Sequence, residues 1–494
     1  MTTTVEGMPG ATGPAKVELK PSLPIKFFYG FGQMVESGYL TVAPFIFFYY
    51  TAVLGLSGSL VGLALGISLV LDAVLDPLIG SISDNLRTRL GRRLPMMLLG
   101  APLMGLWLAL LFAPPPELSV FLLFTWLTVS KTALRGFASV YNLPYFALGA
   151  EIADGYVERS KLVAWRTIAG IMVGVVITFL AYTFFFAGPG GLQKAEGYPA
   201  FGWTIGAMSF VGGAICCLGV WRYAAALPQP TTAPARLGRG LVTEIVEVFA
   251  NRSFRILFAS ALLTYVAAGL NGTLNSHAYV FVWKLRPETI QLITYAYLLG
   301  LAVGVPMTPA LLRRVEKRTA VILGVGVILA TWTLLPGARA AGLFAPVGED
   351  ALAWLSASVF VAGVGTGFIA IAYPAMMADA ADEHEVLFGA RREGMYFAGL
   401  GFASKAAAGL GQLLGGVAID ILRFPKEAGR QVDAVVAEGV LRDLTFAWGP
   451  VPALMGVVAA ALLIPYAISR ARHEEIAAQL RAKRALDVAE GRSS

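Results

Sequence analysis

The segment Leu71-Asp72-Ala73-Val74-Leu75-Asp76-Pro77 sets two carboxylates inside an otherwise uncharged apolar run that extends over residues 59–82. Wound as a helix, a run of that length crosses a hydrocarbon core roughly 30 Å thick. It is one of many, for similar stretches recur from residue 27 to residue 469. The 494-residue chain is 57% hydrophobic and 14% charged, with a mean hydropathy of +0.69. A soluble protein carries about a quarter charged residues. These figures exclude a soluble enzyme, a nucleic-acid-binding module and a disordered chain. They predict an all-α membrane protein.

Working outward from that run, hydropathy predicts twelve transmembrane helices, over 26–53, 59–82, 95–114, 118–148, 161–188, 199–224, 253–282, 289–311, 318–336, 352–378, 393–421 and 444–469. The longest polar interruption, 226–252, contains Pro228, Pro230 and Pro234. It separates an N-terminal six-helix bundle (25–225) from a C-terminal one (253–469), with tails at 1–24 and 470–494. The halves echo each other. Tyr141-Asn142-Leu143-Pro144 closes the fourth span and Ala372-Tyr373-Pro374 the tenth, and basic clusters follow the second and eighth spans (Arg87 to Arg93, Arg313 to Arg318). A 6+6 pseudo-symmetric repeat with a site at the midplane is a transporter architecture.

Orientation follows from Lys and Arg in the flanks. With a cytoplasmic N-terminus, 27 of the 38 basic residues fall on the cytoplasmic side and 8 outside, and Lys131, Arg135 and Lys405 remain inside spans. Both termini are therefore expected in the cytoplasm, and the net charge of +7 needs no nucleic-acid partner. Residues 1–24 have no hydrophobic core, so the tail is not read as a cleaved signal peptide. Residues 470 onward are expected to form an amphipathic helix with Ile476 and Leu480 inward. The adjacent Cys216 and Cys217 read as small buried hydrophobes, and no metal-ligand spacing is visible. The protein is expected to work as a monomer without a cofactor.

A charge at the bilayer centre costs at least ~2.5–3.5 kcal/mol, so each intramembrane charge needs a reason. Asp72 and Asp76, at i and i+4, project about 40° apart on one helix face. Two acids so close repel unless a cation lies between them or one keeps a proton, which is what a coupling site requires. Lys131 and Arg135 in the fourth span share a stripe with Asn142 and Tyr145, with Ser139 at its edge. They either neutralise the two aspartates or hold an anionic substrate group. Lys405 in the eleventh span is read as partner to a carboxylate of the other half or as a substrate contact. Glu36 in the first span lines the cavity or is structural. In the seventh span Thr264, Asn271 and Asn275 form a polar stripe, which either lines a substrate path or binds helices together.

Residues 72–102 carry a pattern that closely resembles the glycoside-pentoside-hexuronide:cation symporters of the major facilitator superfamily, which include the melibiose permeases. The matching block is Asp72, Asp76-Pro77, Gly80, Ser83-Asp84, Arg87, Arg89, Gly91-Arg92-Arg93, Pro95 and Gly100-Ala101-Pro102. Tyr29-Gly30-Phe31-Gly32, Asn142-Leu143-Pro144-Tyr145, Arg391-Arg392-Glu393-Gly394-Met395-Tyr396 and Ser404-Lys405 extend it over residues 25–485. The resemblance implies that Asp72 and Asp76 bind the cation with a hydroxyl from Ser139. It further implies that Lys405 links the second half to that site and that Arg166 belongs to the substrate pocket. The loop holding Asp84, Arg87, Arg89, Arg92 and Arg93 would be a conformational latch, with Glu151, Asp154, Asp379 and Asp382 as its acidic partners.

Three positions depart from the melibiose type. Ser37 and Asn142 stand where those permeases have aspartates, and Leu75 where their cation site has an amide. Leu75 offers no oxygen, which favours a proton over sodium, and Lys131 and Arg135 favour an acidic substrate such as a uronide. The expected function is symport of a sugar, glycoside or uronide with H⁺ or Na⁺, by alternating access, in the plasma (inner) membrane. A lysophospholipid or other amphiphile is the alternative substrate. A non-transporting membrane sensor is the alternative from another class. No nucleophile–base pair suggests an enzyme.

Overall fold

The computed structural model describes residues 21–153, 156–225, 241–389, 392–426, 428 and 436–489. Helices make up their regular structure. In the first half lie α1 (Leu23–Phe31), α2 (Gln33–Phe48), α3 (Gly58–Asn85), α4 (Leu94–Leu111), α5 (Val120–Glu151), α6 (Tyr156–Leu180) and α7 (Gly197–Ala225). The second half holds α8 (Leu241–Ala250), α9 (Arg252–His277), α10 (Pro287–Arg314), α11 (Lys317–Ala340), α12 (Leu352–Phe388), α13 (Glu393–Ile421), α14 (Glu438–Trp448), α15 (Pro450–Leu462) and α16 (Arg470–Ala489).

The ends of these helices follow local chemistry. Prolines stand in the first turns of α1, α4, α10 and α15, where no intrahelical N–H is needed. The side chains of Ser119 and Asn251 cap α5 and α9 by accepting from Leu122 N and Phe254 N. Gly389, at φ +79°, ends α12 in a left-handed conformation.

Among the described residues, ten helical segments are long and apolar enough to cross a membrane. The 32-residue α5 stands outside that set and carries Lys131 and Arg135 within its length. The first predicted span is divided in the structure, with α1 giving way to α2 at Gly32. The polar connection expected over 226–252 contains α8, whose Glu244 and Glu247 face Arg392 at the start of α13.

Packing repeats between the halves. In the first, α2 packs on α6, α3 on α5 and α4 on α7. In the second, α9 packs on α13, α10 on α12 and α11 on α15. The halves meet where α3 lies along α13 and α6 crosses α10. The α3–α13 contact is a backbone approach, because a Cβ on Gly58 would collide with the carbonyl oxygen of Gly416. Small residues let two helices come this close.

At one end of the molecule the halves are tied together. Thr51 meets His277 at 3.1 Å, Thr183 donates to Gln291 at 3.0 Å, and Gly188 N donates to Glu288 at 2.7 Å. One buried apolar cluster runs from the first half into the second at this end, through Phe48, Phe281 and Phe424. Single widened turns close three helices here, Tyr49–Val53, Ala181–Phe185 and Ala278–Val282. At the opposite, basic end, a second cluster belongs to the C-terminal half alone and takes in Ile476 and Leu480 of α16.

Candidate functional site

Asp72 is the centre of the intramembrane charges and is 4% exposed. Its Oδ2 accepts from Arg135 Nη2 at 2.8 Å and from Lys405 Nζ at 3.4 Å, and its Oδ1 accepts from Ser139 Oγ at 3.1 Å. Lys405 Nζ also donates to Asp76 Oδ2. Thus α3 supplies both acids, α5 the guanidinium and hydroxyl, and α13 the ammonium that arrives from the other half. The four-residue spacing of Asp72 with Asp76, and of Arg135 with Ser139, turns each pair to one helix face.

Lys131 does not join this pairing. Its ammonium sits 4.6 Å from the ring centroid of Tyr39 on α2, a cation–π arrangement, and the residue is 2% exposed. The pairing therefore sets two cationic groups, Arg135 and Lys405, against two carboxylates, with Lys131 outside it. Two of its polar atoms, Asp76 Oδ1 and Arg135 Nε, are buried and have no partner among the described residues, and α5 carries two more such atoms in Thr132 Oγ1 and Asn142 Oδ1. Buried polar groups are normally hydrogen-bonded, so these atoms keep unmet bonding capacity.

The remaining residues singled out from sequence lie elsewhere. Tyr145 stacks on Tyr29 at 4.5 Å and donates to Tyr29 O, while Tyr29 OH donates back to Tyr145 O. Arg166 lies over the Phe146 ring at 4.6 Å. Glu36 accepts from Gln33 Nε2 at 2.7 Å. Asn271 Nδ2 donates to Trp448 O at 2.7 Å, and Asn275 Oδ1 accepts from Trp448 Nε1 at 2.6 Å. Thr264, on the same stripe, meets Tyr373 OH at 3.1 Å.

At the basic end, Glu151 gathers Arg92 Nη2 and Arg93 Nη2, each at 2.8 Å, and Arg93 also pairs with Asp84 at 2.6 Å. Arg87 and Arg89 are exposed. Asp379 pairs with Lys317 at 2.7 Å. His473 of α16 lies 3.3 Å from Asp379 and 3.5 Å from Asp382. Each of these named pairs closes within one half. Asp154 lies outside the described residues.

Two side chains that make notable contacts in the structure, Tyr39 with Lys131 and Asp420 with Gly58 and Ser59, carry no signal in the sequence. Tyr39, beneath Lys131, is an aromatic residue in an apolar span, which is ordinary. Asp420 stands near the outer limit of the eleventh predicted span, where an acid is equally ordinary.

The acid pair Asp72 and Asp76 lies on one half of the molecule and is met by Lys405 of the other. The chain belongs to the MFS/sugar transport protein family, whose profile matches residues 28–470. It is similar to the inner membrane symporter YicJ of Escherichia coli (26% identical, over 80% of this chain and 81% of that one). The isoprimeverose transporter of Lactiplantibacillus pentosus is 22% identical over 92% of this chain and 91% of its own. The crystal structure of a D-xylose-proton symporter superposes with a TM-score of 0.61 at 14% identity, covering 90% of this chain and 98% of that one. That of a point mutant of the nucleoside transporter NupG gives 0.59 at 15% identity, covering 90% and 99%. The protein is thus a secondary transporter of small molecules, not an enzyme, and an integral protein of the plasma membrane.

Proposed function

We propose that the protein is a cation-coupled symporter of a sugar, glycoside or uronide. Its twelve spans form two pseudo-symmetric bundles with both termini in the cytoplasm, and it works by alternating access. The observation that carries this reading is Lys405, which crosses from the second half to the acid pair Asp72 and Asp76 of the first. Its ammonium holds the place that a coupling cation would take. Arrival of H⁺ or Na⁺ at the acids competes with Lys405 and loosens α13 from α3 at mid-membrane. The orphan atoms of Asn142, Arg135 and Thr132 then turn to the substrate. Coupling of this kind is reciprocal, so the cation and the substrate raise each other's affinity by one factor.

In the proposed orientation the joined end faces outward and the conformation is open toward the cytoplasm. YicJ is named as a symporter and the pentosus relative as a carrier of isoprimeverose, which supports an ion-coupled sugar or glycoside substrate. Lys131, uncompensated by a carboxylate, supports a substrate with an acidic group.

The test is uptake into proteoliposomes under an imposed proton or sodium gradient, with xylosides, glucosides, uronides and lysophospholipids offered in turn. Accumulation of a sugar-class compound above its external concentration, driven by one of the two gradients, is the expected result. Uptake of lysolipids alone would transfer the assignment to amphiphiles, and binding without uptake would make the protein a sensor.

A further inference from the structure

Asp420, near the C-terminal end of α13, reaches across the boundary between the halves to the first turn of α3. Its Oδ1 accepts from Gly58 N at 2.8 Å and its Oδ2 from Ser59 N at 2.8 Å, and Ser59 Oγ donates to Oδ2 as well. The first N–H groups of a helix have no partner within it and carry its positive dipole end. A carboxylate is therefore the acceptor they favour most. Here the acceptor comes from 361 residues away, so the cap holds only while the two halves touch.

The surroundings make the contact selective. α3 and α13 meet backbone to backbone beside it, and a Cβ on Gly416 would collide with the carbonyl oxygen of Gly58. A few residues off, His277 sits fully buried among the rings of Phe47, Phe48, Phe281 and Phe424 and bonds Thr51. The joined end thus has an aromatic plug and several polar contacts between the halves, and among these Asp420 stands out because one carboxylate takes three hydrogen bonds from the opposite half.

We propose that the Asp420 carboxylate, seated on the amide groups of Gly58 and Ser59, is the clasp that holds the outer side of the carrier shut and must break for the outward-open state to form. The inference rests on the alternating-access reading and adds the residue that sets the balance between its two states. When the halves part, the start of α3 loses its cap and the carboxylate returns to water. Removing the carboxylate therefore shifts the population toward outward-open.

The experiment measures access to a cysteine placed beneath the clasp. Thr51→Cys, in a Cys216→Ala and Cys217→Ala background, sits at a position 4% exposed at the plug. Reaction with a membrane-impermeant maleimide added outside then reports opening. Adding Asp420→Ala is expected to raise the labelling rate at least about tenfold, since three charge-assisted bonds are lost. Asp420→Asn, which keeps the shape, serves if the alanine variant does not fold, and its labelling should rise in the same direction. Ser59→Ala, which removes only the hydroxyl, should give a smaller rise. Labelling of the Asp420 variants at the parental rate overturns the clasp. The assay needs no substrate, so a parent protein that carries none of the sugars tested would sink the sugar reading and leave this result legible.

Discussion

Arg135 Nη2 lies 2.8 Å from Asp72 Oδ2, and both side chains come from the N-terminal half. The lysine that shares the same oxygen comes from the C-terminal half, 3.4 Å away. One cation of the site is therefore fixed to the bundle that carries the acids, and the other travels with the opposite bundle. On the proposed alternating-access cycle, a movement of one half against the other would change the surroundings of Asp76 more than those of Asp72. This divides the labour between the two acids. Asp72, bonded by Arg135 and Ser139, is the anchored one. Asp76, with one oxygen on Lys405 and the other without a partner among the described residues, is the one whose pairing depends on the opposite half.

Asp76→Asn should accordingly abolish gradient-driven accumulation while the protein remains folded in the membrane. An amide cannot take up the coupling cation's charge, and it leaves Lys405 without its nearest anion. Uptake into proteoliposomes with and without the ion gradient reads the effect. Concentrative uptake by the variant at the parental level would remove Asp76 from the coupling step.

Arg135→Ala should destabilise the protein as well as inactivate it. It leaves the carboxylate of Asp72, 4% exposed, with only a hydroxyl and a distant ammonium. Breaking a buried pair from one side costs about 3–5 kcal/mol. The double variant Asp72→Asn, Arg135→Gln removes both charges and should recover much of the lost thermal stability in detergent without recovering transport. If the double variant is no more stable than Arg135→Ala, the pairing contributes little.

The four-residue spacing of Asp72 with Asp76, the lone Lys405 and the basic loop around Arg92 could all be read from sequence. A charge in an apolar run is visible in composition. The partners of these groups were less legible. Whether Lys131 and Arg135 act alike depends on which way each leaves α5. Four residues on one helix put them about 40° apart, enough for Arg135 to reach Asp72 and for Lys131 to end over Tyr39. Asp420 stood at a span boundary, where acids are unremarkable. Its cross-half bond depends on the glycine contact of α3 with α13, which no local pattern encodes. Tyr145 matched the polar stripe by angle, yet its hydroxyl is committed to the backbone of Tyr29.

Asn271 and Asn275 provide a test of substrate lining against helix bonding. Both amides engage Trp448, one its carbonyl and one its indole N–H. Asn271→Ala leaves the Trp448 carbonyl without that donor and should lower stability by about 1–3 kcal/mol. A role confined to packing predicts a lower Tm with KM unchanged among the folded molecules. A raised KM at unchanged Tm would place the amide on the substrate path.

Lys131→Met keeps an unbranched apolar side chain of similar length and deletes the charge, which lies over Tyr39, is in a residue 2% exposed and has no carboxylate bonded to it among the described residues. If the ammonium holds the acidic group of a substrate, uptake of uronides should fall at least about tenfold relative to the neutral sugars, because a charge-assisted contact is worth roughly 1.5–3 kcal/mol. The variant itself should be no less stable, since removing an uncompensated buried charge costs little and can stabilise. Competition between a uronide and its neutral parent sugar, measured in the same vesicles, reads the ratio directly. An equal fall for both compounds would assign Lys131 to the electrostatics of Asp72 and Asp76 and leave the acidic substrate without its receptor.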